Sequence, residues 1–323
     1  MLWGHLAHRL PPHLSSVFGP LAEYVDDPRV TDIFLLGSGE VFLETGSGAS
    51  KVHGLVFSAT EATDIARNLV EAGGRHVDEA TPVADVNLGH GIRVHAVLWP
   101  IAQRGAEVSI RIHRHQRPAL EALDLENHQE ILPALLRLVH THQTVLVTGV
   151  TGSGKTTLMA ALMAHAAPTE RLVVLEDVSE LSIDHPHAVY LECRQKNMEG
   201  VGEITLSRLV RESLRMRPDR LIVGECRGSE FADVLQAFHT GHKGGATTIH
   251  AHSIPDVPTR LLSLGSTAGV SEHQVAHQIA HAFDAVVHVE KTPSGSRRLT
   301  HGRLCVRDGV LGIVESSLTA DSE

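Results

Sequence analysis

Residues 149–156 read Gly-Val-Thr-Gly-Ser-Gly-Lys-Thr. This is a glycine-rich turn closed by Lys155 and Thr156, the pattern of a loop that wraps phosphate. Its flanks supply the context the pattern needs. The preceding Thr144-Val145-Leu146-Val147-Thr148 is a β-branched run suited to a buried parallel strand. The following residues 157–167 are helix formers, stopped at Pro168. Strand, turn and helix together bring Gly149, Thr151, Gly152, Ser153, Gly154, Lys155, Thr156 and Thr157 round a phosphate chain. The backbone N–H groups close on oxygens, and the helix N-terminus adds partial positive charge. Lys155 is expected to reach the β/γ-phosphates and the Thr156 hydroxyl to ligand Mg²⁺. A chance Gly-rich turn would match this pattern in about one such chain in a hundred, before a strand and a helix are required. ATP and Mg²⁺ are therefore the expected cofactors.

The bulk composition sets bounds on the rest. A chain of 323 residues has room for two domains with cores of their own. Hydrophobic content of 42% and charged content of 20% are those of a soluble globular protein. No run of about 18 apolar residues occurs, so no membrane span is expected. The N-terminus lacks the apolar stretch of a signal peptide, which implies a cytoplasmic protein. Cys193, Cys226 and Cys305 stand far apart, without the spacing of a disulfide framework or zinc ribbon. A net charge of −10 argues against a broad nucleic-acid surface. The local exception is Arg104, Arg111, Arg114 and Arg117 with His113 and His115. The 24 histidines often alternate, as in His250/His252, but no carboxylate or cysteine spacing completes a metal site. They read as solvated surface.

Residues 1–115 are expected to form a small α+β domain. A helix near 14–25 precedes a hairpin of residues 33–36 and 41–44. Residues 60–72 have helical spacing, with Thr60 as N-cap and Gly73-Gly74 as the stop. Strands follow at 92–98 and 108–112, and residues 114–120, with Pro118, look like a linker. Residues 116–323 alternate strand and helix as a doubly wound, mostly parallel sheet does. Its expected strands are 145–148, 172–175, 189–191, 221–223, 246–249 and 285–289. Late helices are read at 259–264 and 272–283. The tail ends in a hairpin turned by Asp308-Gly309.

Three clusters sit where these strands end, the side on which open α/β sheets bind ligands. They are Glu176-Asp177-Val178-Ser179-Glu180-Leu181, then Gly224-Glu225-Cys226-Arg227-Gly228, then Thr247-Thr248-Ile249-His250-Ala251-His252. ATP hydrolysis needs a carboxylate to polarise water, one on the Mg²⁺ side, and a polar sensor near the γ-phosphate. An acidic loop after a strand alone often just caps the next helix. Three in order behind a phosphate loop carry more weight.

In these motifs the chain resembles the secretion ATPases of type II and type IV secretion and type IV pilus assembly. Those motors carry a P-loop, an acidic Glu-Asp-x-x-Glu-Leu box, a strand ending Val-Gly-Glu-x-Arg-Gly, and a histidine box ending Thr-x-His-Ala. All four stand here in that order. Met216-Arg217-Pro218-Asp219-Arg220-Leu221-Ile222-Val223-Gly224-Glu225 is similar to the branch serving tight-adherence (Flp) pili and conjugation. Arg93 and Arg111 match that branch's N-terminal arginines, which reach nucleotide. The resemblance implies a RecA-like P-loop domain in a homo-oligomer, a hexameric ring. It also implies an inner-membrane platform protein as partner, with the ring on the cytoplasmic side of that membrane. Its implied site is Lys155, Glu180, Glu225, His250, Arg93 and Arg111, with Thr156, Glu225 and Glu176 toward the metal. Glu180 is assigned to the attacking water and Glu225 to Mg²⁺, in roles that could be exchanged. The chain departs from the family pattern in Leu88-Gly89-His90-Gly91, at Cys226 and at Lys243. The rival class is a nucleic-acid translocase or helicase on the same core. Only 3% aromatic residues and the acidic balance weigh against it. Cargo and firing order are not legible.

Overall fold

The protein is described by a computed structural model over residues 10–46, 48–112, 119–194, 201–266 and 271–315. The expected linker and the basic residues His113, Arg114, His115 and Arg117 lie outside the described residues. The chain divides into two compact units, Met1–His115 with Lys196–Gly202, and Gln116–Gln195 with Glu203–Glu323.

In the first unit, α1 (Pro12–Phe18), α2 (Ala22–Asp26) and α3 (Ala59–Ala72) accompany a six-stranded sheet. Its strands are β1 (Asp32–Leu35), β2 (Glu40–Glu44), β3 (Ala49–Val56), β4 (Val83–Asn87), β5 (Ile92–Val97) and β6 (Glu107–Ile112). The order is β3-β2-β1-β6-β5-β4, antiparallel throughout. Period-two alternation sends Ile33, Leu35, Val94, Ala96, Val108 and Ile110 into one core with Ala62, Ala66, Leu69 and Val70 of α3. Arg93 and Arg111 fall on the other phase of the same strands. Several expectations are corrected here. The helix read at 14–25 is broken at Gly19-Pro20, where a short 3₁₀ turn intervenes. The N-cap of α3 is Ser58 rather than Thr60. Ser58 Oγ accepts from the Glu61 N–H while the Glu61 carboxylate accepts from the Ser58 N–H, a reciprocal capping box. Strands β3 and β4 were not foreseen; they are the sheet's two edges, where polar residues dilute the pattern.

The second unit holds α4 (His128–His140), β7 (Val145–Gly149), α5 (Lys155–Met163), β8 (Leu172–Glu176), β9 (Ala188–Glu192), α6 (Leu206–Ser213), β10 (Arg220–Val223), α7 (Glu230–His239), β11 (Ala246–His250), α8 (Val257–Gly265), α9 (Glu272–Ala282), β12 (Ala285–Lys291), β13 (Arg297–Arg307) and β14 (Val310–Glu315). Strands β12-β7-β11-β10-β8-β9 run parallel, and β13 and β14 extend the sheet antiparallel beyond β12. This is the RecA-like α/β arrangement. Leu146, Val173, Leu175, Leu221, Val223, Ile249 and Val286 enter one core, whereas Val145, Val147, Leu172, Val174, Ile222 and Val287 enter a second. Both faces are covered, which is why the strands read as unbroken apolar runs. Helix α5 ends at Met163, short of Pro168. Helix α4 escaped notice because Pro133 lies inside it. No helix separates β8 from β9. The capping alternative for Glu180 therefore has no helix to cap.

Opposite the glycine-rich end, Arg220 is 1% exposed and joins three segments. It donates to Glu170 (2.6 Å), to Gly244 O (3.0 Å) and to Val139 O (2.8 Å). Removing one partner of such a pair strands the other charge, at a cost of about 3–5 kcal/mol. Arg220→Ala is expected to lower unfolding free energy by about that amount, measured by urea denaturation. Restoring an apolar pair, Arg220→Met with Glu170→Leu, should recover most of it.

Candidate functional site

Four strand ends, those of β7, β8, β10 and β11, bring the sequence-predicted residues of the second unit together. At the first, Gly149 (φ 148°), Gly152 (φ 74°) and Gly154 (φ 100°) adopt conformations that favour glycine. Gly149 has no room for a Cβ either, which would meet Val289 O at 2.4 Å and Ser153 Oγ at 2.7 Å. Gly154 then caps α5, whose first residue is Lys155. Thr151 and Thr157 are exposed, and Thr156 is half-buried.

Lys155 is buried, and that burial lowers its pKa. Its ammonium donates to Val150 O (2.9 Å) and lies 3.0 Å from His250 Nδ1. An ammonium has only donors, so Nδ1 must be the acceptor and the proton of a neutral ring sits on Nε2. Nε2 faces Glu225 Oε1 at 2.8 Å, at ion-pair distance but out of hydrogen-bond alignment. Glu225 Oε2 in turn meets Arg227 at 2.7 Å. Burial lowers the pKa of His250, and this favours the neutral ring. A chain of contacts thus runs from the P-loop through His250 to Glu225 and Arg227.

Glu176 ends β8, 5% exposed. Its Oε1 accepts from the N–H groups of Glu180 (3.1 Å) and Leu181 (2.9 Å), folding the acidic loop back on its own strand. Gly224 must be glycine, because a Cβ there would meet Glu176 Cγ at 2.9 Å. Glu180 is half-buried on this loop. Cys226 is fully buried against Thr247, and burial pushes its thiol up to about 12, so it behaves as a core residue. Thr248 Oγ1 donates to Gly224 O (2.8 Å), fixing the ends of β10 and β11 to each other.

Among the described residues, Ser153 Oγ and Glu225 Oε1 are buried polar atoms without a hydrogen bond. Unsatisfied oxygens beside a glycine nest at a helix N-terminus fit a nucleotide phosphate chain and its cation. Thr156, Glu225 and Glu176 supply the hard oxygen donors that Mg²⁺ takes. Two residues went unassigned in the sequence: Arg227, inside a quoted motif, and Arg297, whose Nε donates to Ser153 O (2.9 Å). Arg93 and Arg111 belong to the first unit, where they are cross-strand neighbours. Arg93 makes a bidentate pair with Asp85, and Arg111 Nε lies 3.2 Å from Asp32.

Residues 15–299 match the family described as type II/IV secretion system protein. The chain belongs to that family. It is 39% identical over 289 residues to a putative conjugal transfer protein of Mycobacterium tuberculosis, covering 87% of this chain and 82% of that one. It is 31% identical over 308 residues to the type IV secretion system protein VirB11 of Brucella suis, covering 84% and 83%. The crystal structure of the Legionella pneumophila ATPase DotB superposes with a TM-score of 0.61 at 21% identity, covering 91% and 81%, and so shares the fold.

Burial raises Glu176 from 4.5 to about 7. The folded protein then binds a proton that the unfolded chain releases between those values, so stability falls as pH rises through that window. The full effect is on the order of 3 kcal/mol. Glu176→Gln keeps an acceptor for both amides and cannot ionise. In Mg²⁺-free protein it is expected to flatten this slope, read from urea unfolding at about pH 5 and about pH 8. An unchanged slope would assign the pH dependence to another group.

Proposed function

We propose that this protein is a Mg²⁺-dependent ATPase motor that powers conjugal transfer or type IV secretion, or assembly of a related (Flp-like) pilus. It works as a homo-oligomer, a hexameric ring on the cytoplasmic side of the membrane, docked on an inner-membrane platform protein. The observation that carries the reading is the contact chain from the P-loop through Lys155 and His250 to Glu225, at one end of a RecA-like sheet. The conjugal-transfer and type IV secretion names of its relatives support the process. Among the described residues no helix is long and apolar enough to cross a membrane, consistent with attachment through a partner.

In this reading the glycine nest and the N-terminus of α5 hold the phosphates of ATP, and Lys155 leaves His250 Nδ1 for the β/γ-phosphates. Mg²⁺ supplies charge neutralisation on the phosphate oxygens, held from the side of Thr156, Glu225 and Glu176. Glu180 polarises the attacking water: its carboxylate takes the proton as the water oxygen bonds to the γ-phosphorus and the bond to the ADP oxygen breaks. Glu225, fixed between His250 and Arg227, keeps its negative charge on the metal side. His250 registers whether Lys155 is engaged with phosphate. Arg93 and Arg111 add positive charge at the γ-phosphate.

Lys155→Ala is expected to abolish turnover without lowering the melting temperature, since the loop is a surface turn. Turnover in the variant like that of the wild type would remove this loop from the active site. Glu180→Gln should reduce kcat by on the order of 100-fold and spare ATP binding. For Arg93 the pair with Asp85 provides an internal control. Arg93→Ala should lose at least about tenfold in kcat/KM, while Asp85→Ala, which breaks the same ion pair but keeps the arginine, should not. Equal losses in the two variants would make the pair structural only.

A further inference from the structure

The two ends of the Arg297 side chain differ in their contacts. Its Nε donates to Ser153 O at 2.9 Å, inside the glycine loop, across 144 positions of sequence. Its guanidinium also lies against Gly154, where a Cβ would come within 2.7 Å of Nε. Its terminal nitrogens make no hydrogen bond or ion pair among the described residues. The backbone beneath it is held on both sides. Arg297 N donates to Asp124 O (3.1 Å), and Glu126 N donates to Arg297 O (2.8 Å). Asn127 then exchanges two bonds with Leu299. The arginine is therefore presented from a fixed strand start.

A trans peptide is planar, with its C=O and N–H on opposite sides. Gripping Ser153 O sets the plane that joins Ser153 to Gly154, and this turns the Gly154 N–H away from Arg297. That N–H has no hydrogen-bond partner among the described residues. Gly154, at φ 100°, sits in the αL region, where the plane has no preference imposed by a side chain. Ser153 Oγ is likewise buried without a partner. We infer that Arg297 is a positioning residue for nucleotide binding: by holding Ser153 O outward it pre-orients the Gly154 N–H as a phosphate donor of the P-loop. The inference rests on the nucleotide reading of that loop. Preorganised donors act through binding, because their orientation is not settled anew when the anion arrives.

The test uses the full chain, with Mg-ADP and Mg-ATP titrated by calorimetry, steady-state ATPase kinetics, and melting of the nucleotide-free protein. Arg297→Ala is expected to weaken both nucleotides about equally, by on the order of tenfold. KM should rise, kcat should stay within about twofold, and the nucleotide-free melting temperature should hold. Arg297→Lys and Arg297→Met, of similar length, decide the matter if the alanine variant fails to fold. Lys retains a donor for Ser153 O and should bind nucleotide at least about fivefold more tightly than Met. Equal affinity of the Lys and Met variants, or wild-type affinity in the alanine variant, would overturn the assignment. Absence of nucleotide binding in the wild-type protein would instead sink the nucleotide reading itself.

Discussion

Lys155 carries a positive charge out of water, and a buried ammonium must be given acceptors close at hand. Two are supplied here, Val150 O from its own loop and His250 Nδ1 from β11. The second has consequences well beyond the loop. By forcing Nδ1 to accept, Lys155 settles which nitrogen of His250 carries the proton, and so which face of the ring looks at Glu225. The carboxylate is then flanked by His250 on one oxygen and Arg227 on the other. Each group in this row is held in place by its neighbour's charge or lone pair. A phosphate that takes Lys155 removes the donor from His250 Nδ1, and the rest of the row must readjust.

Such a row needs a frame that does not itself move. Strands β7, β11, β10 and β8 are adjacent and parallel, so their C-terminal ends fall side by side. Cores on both faces fix them, and Arg220 at the opposite end joins α4, the residue before β8 and the turn before β11. The site is built from the four loops that leave this frame. Where loop and frame meet, the close approaches are backbone matters. Gly149 lies under Val289 O and Gly224 against Glu176, and neither position tolerates a side chain.

This division explains what could be read in the sequence. The parallel strands were legible because burial on both faces leaves unbroken apolar runs, and the order of motifs placed Lys155, Glu180, Glu225 and His250 at strand ends. Contacts that depend on exact neighbours were not legible. The Arg297–Ser153 bond joins a turn arginine to a loop 144 positions away, and no local pattern marks it. The role of Glu176 as the acid that folds back the Glu180 loop needed the observed path of a chain without a helix after β8. In the first unit, central strands β1, β5 and β6 showed the alternation, whereas edge strands β3 and β4 lacked it. Ser58 and Glu61 did spell a capping box, and the reading that chose Thr60 overlooked the reciprocal glutamate.

The charge balance of the site argues for the remaining parts of the proposed mechanism. Lys155, Arg227 and Arg297 bring three positive charges near the glycine loop. Glu225, Glu180 and Asp177 bring as many carboxylates, and Glu176 adds a fourth that burial holds half-protonated near neutral pH. The second unit alone thus offers a polyanionic nucleotide little net positive charge. The whole chain, at −10, offers none. Stabilising the charge that spreads over a transferring phosphoryl group then requires cations from outside this set, a divalent metal and further arginines. Arg93 and Arg111 are suited to that use because each already sits in a carboxylate pair, Asp85 for one and Asp32 for the other. Exchanging a carboxylate for a phosphate oxygen replaces one charge-assisted bond by another of similar strength. Lys155 would make the same kind of exchange when it leaves His250. Nucleotide binding in this protein is then a set of partner swaps by cations that are never left bare.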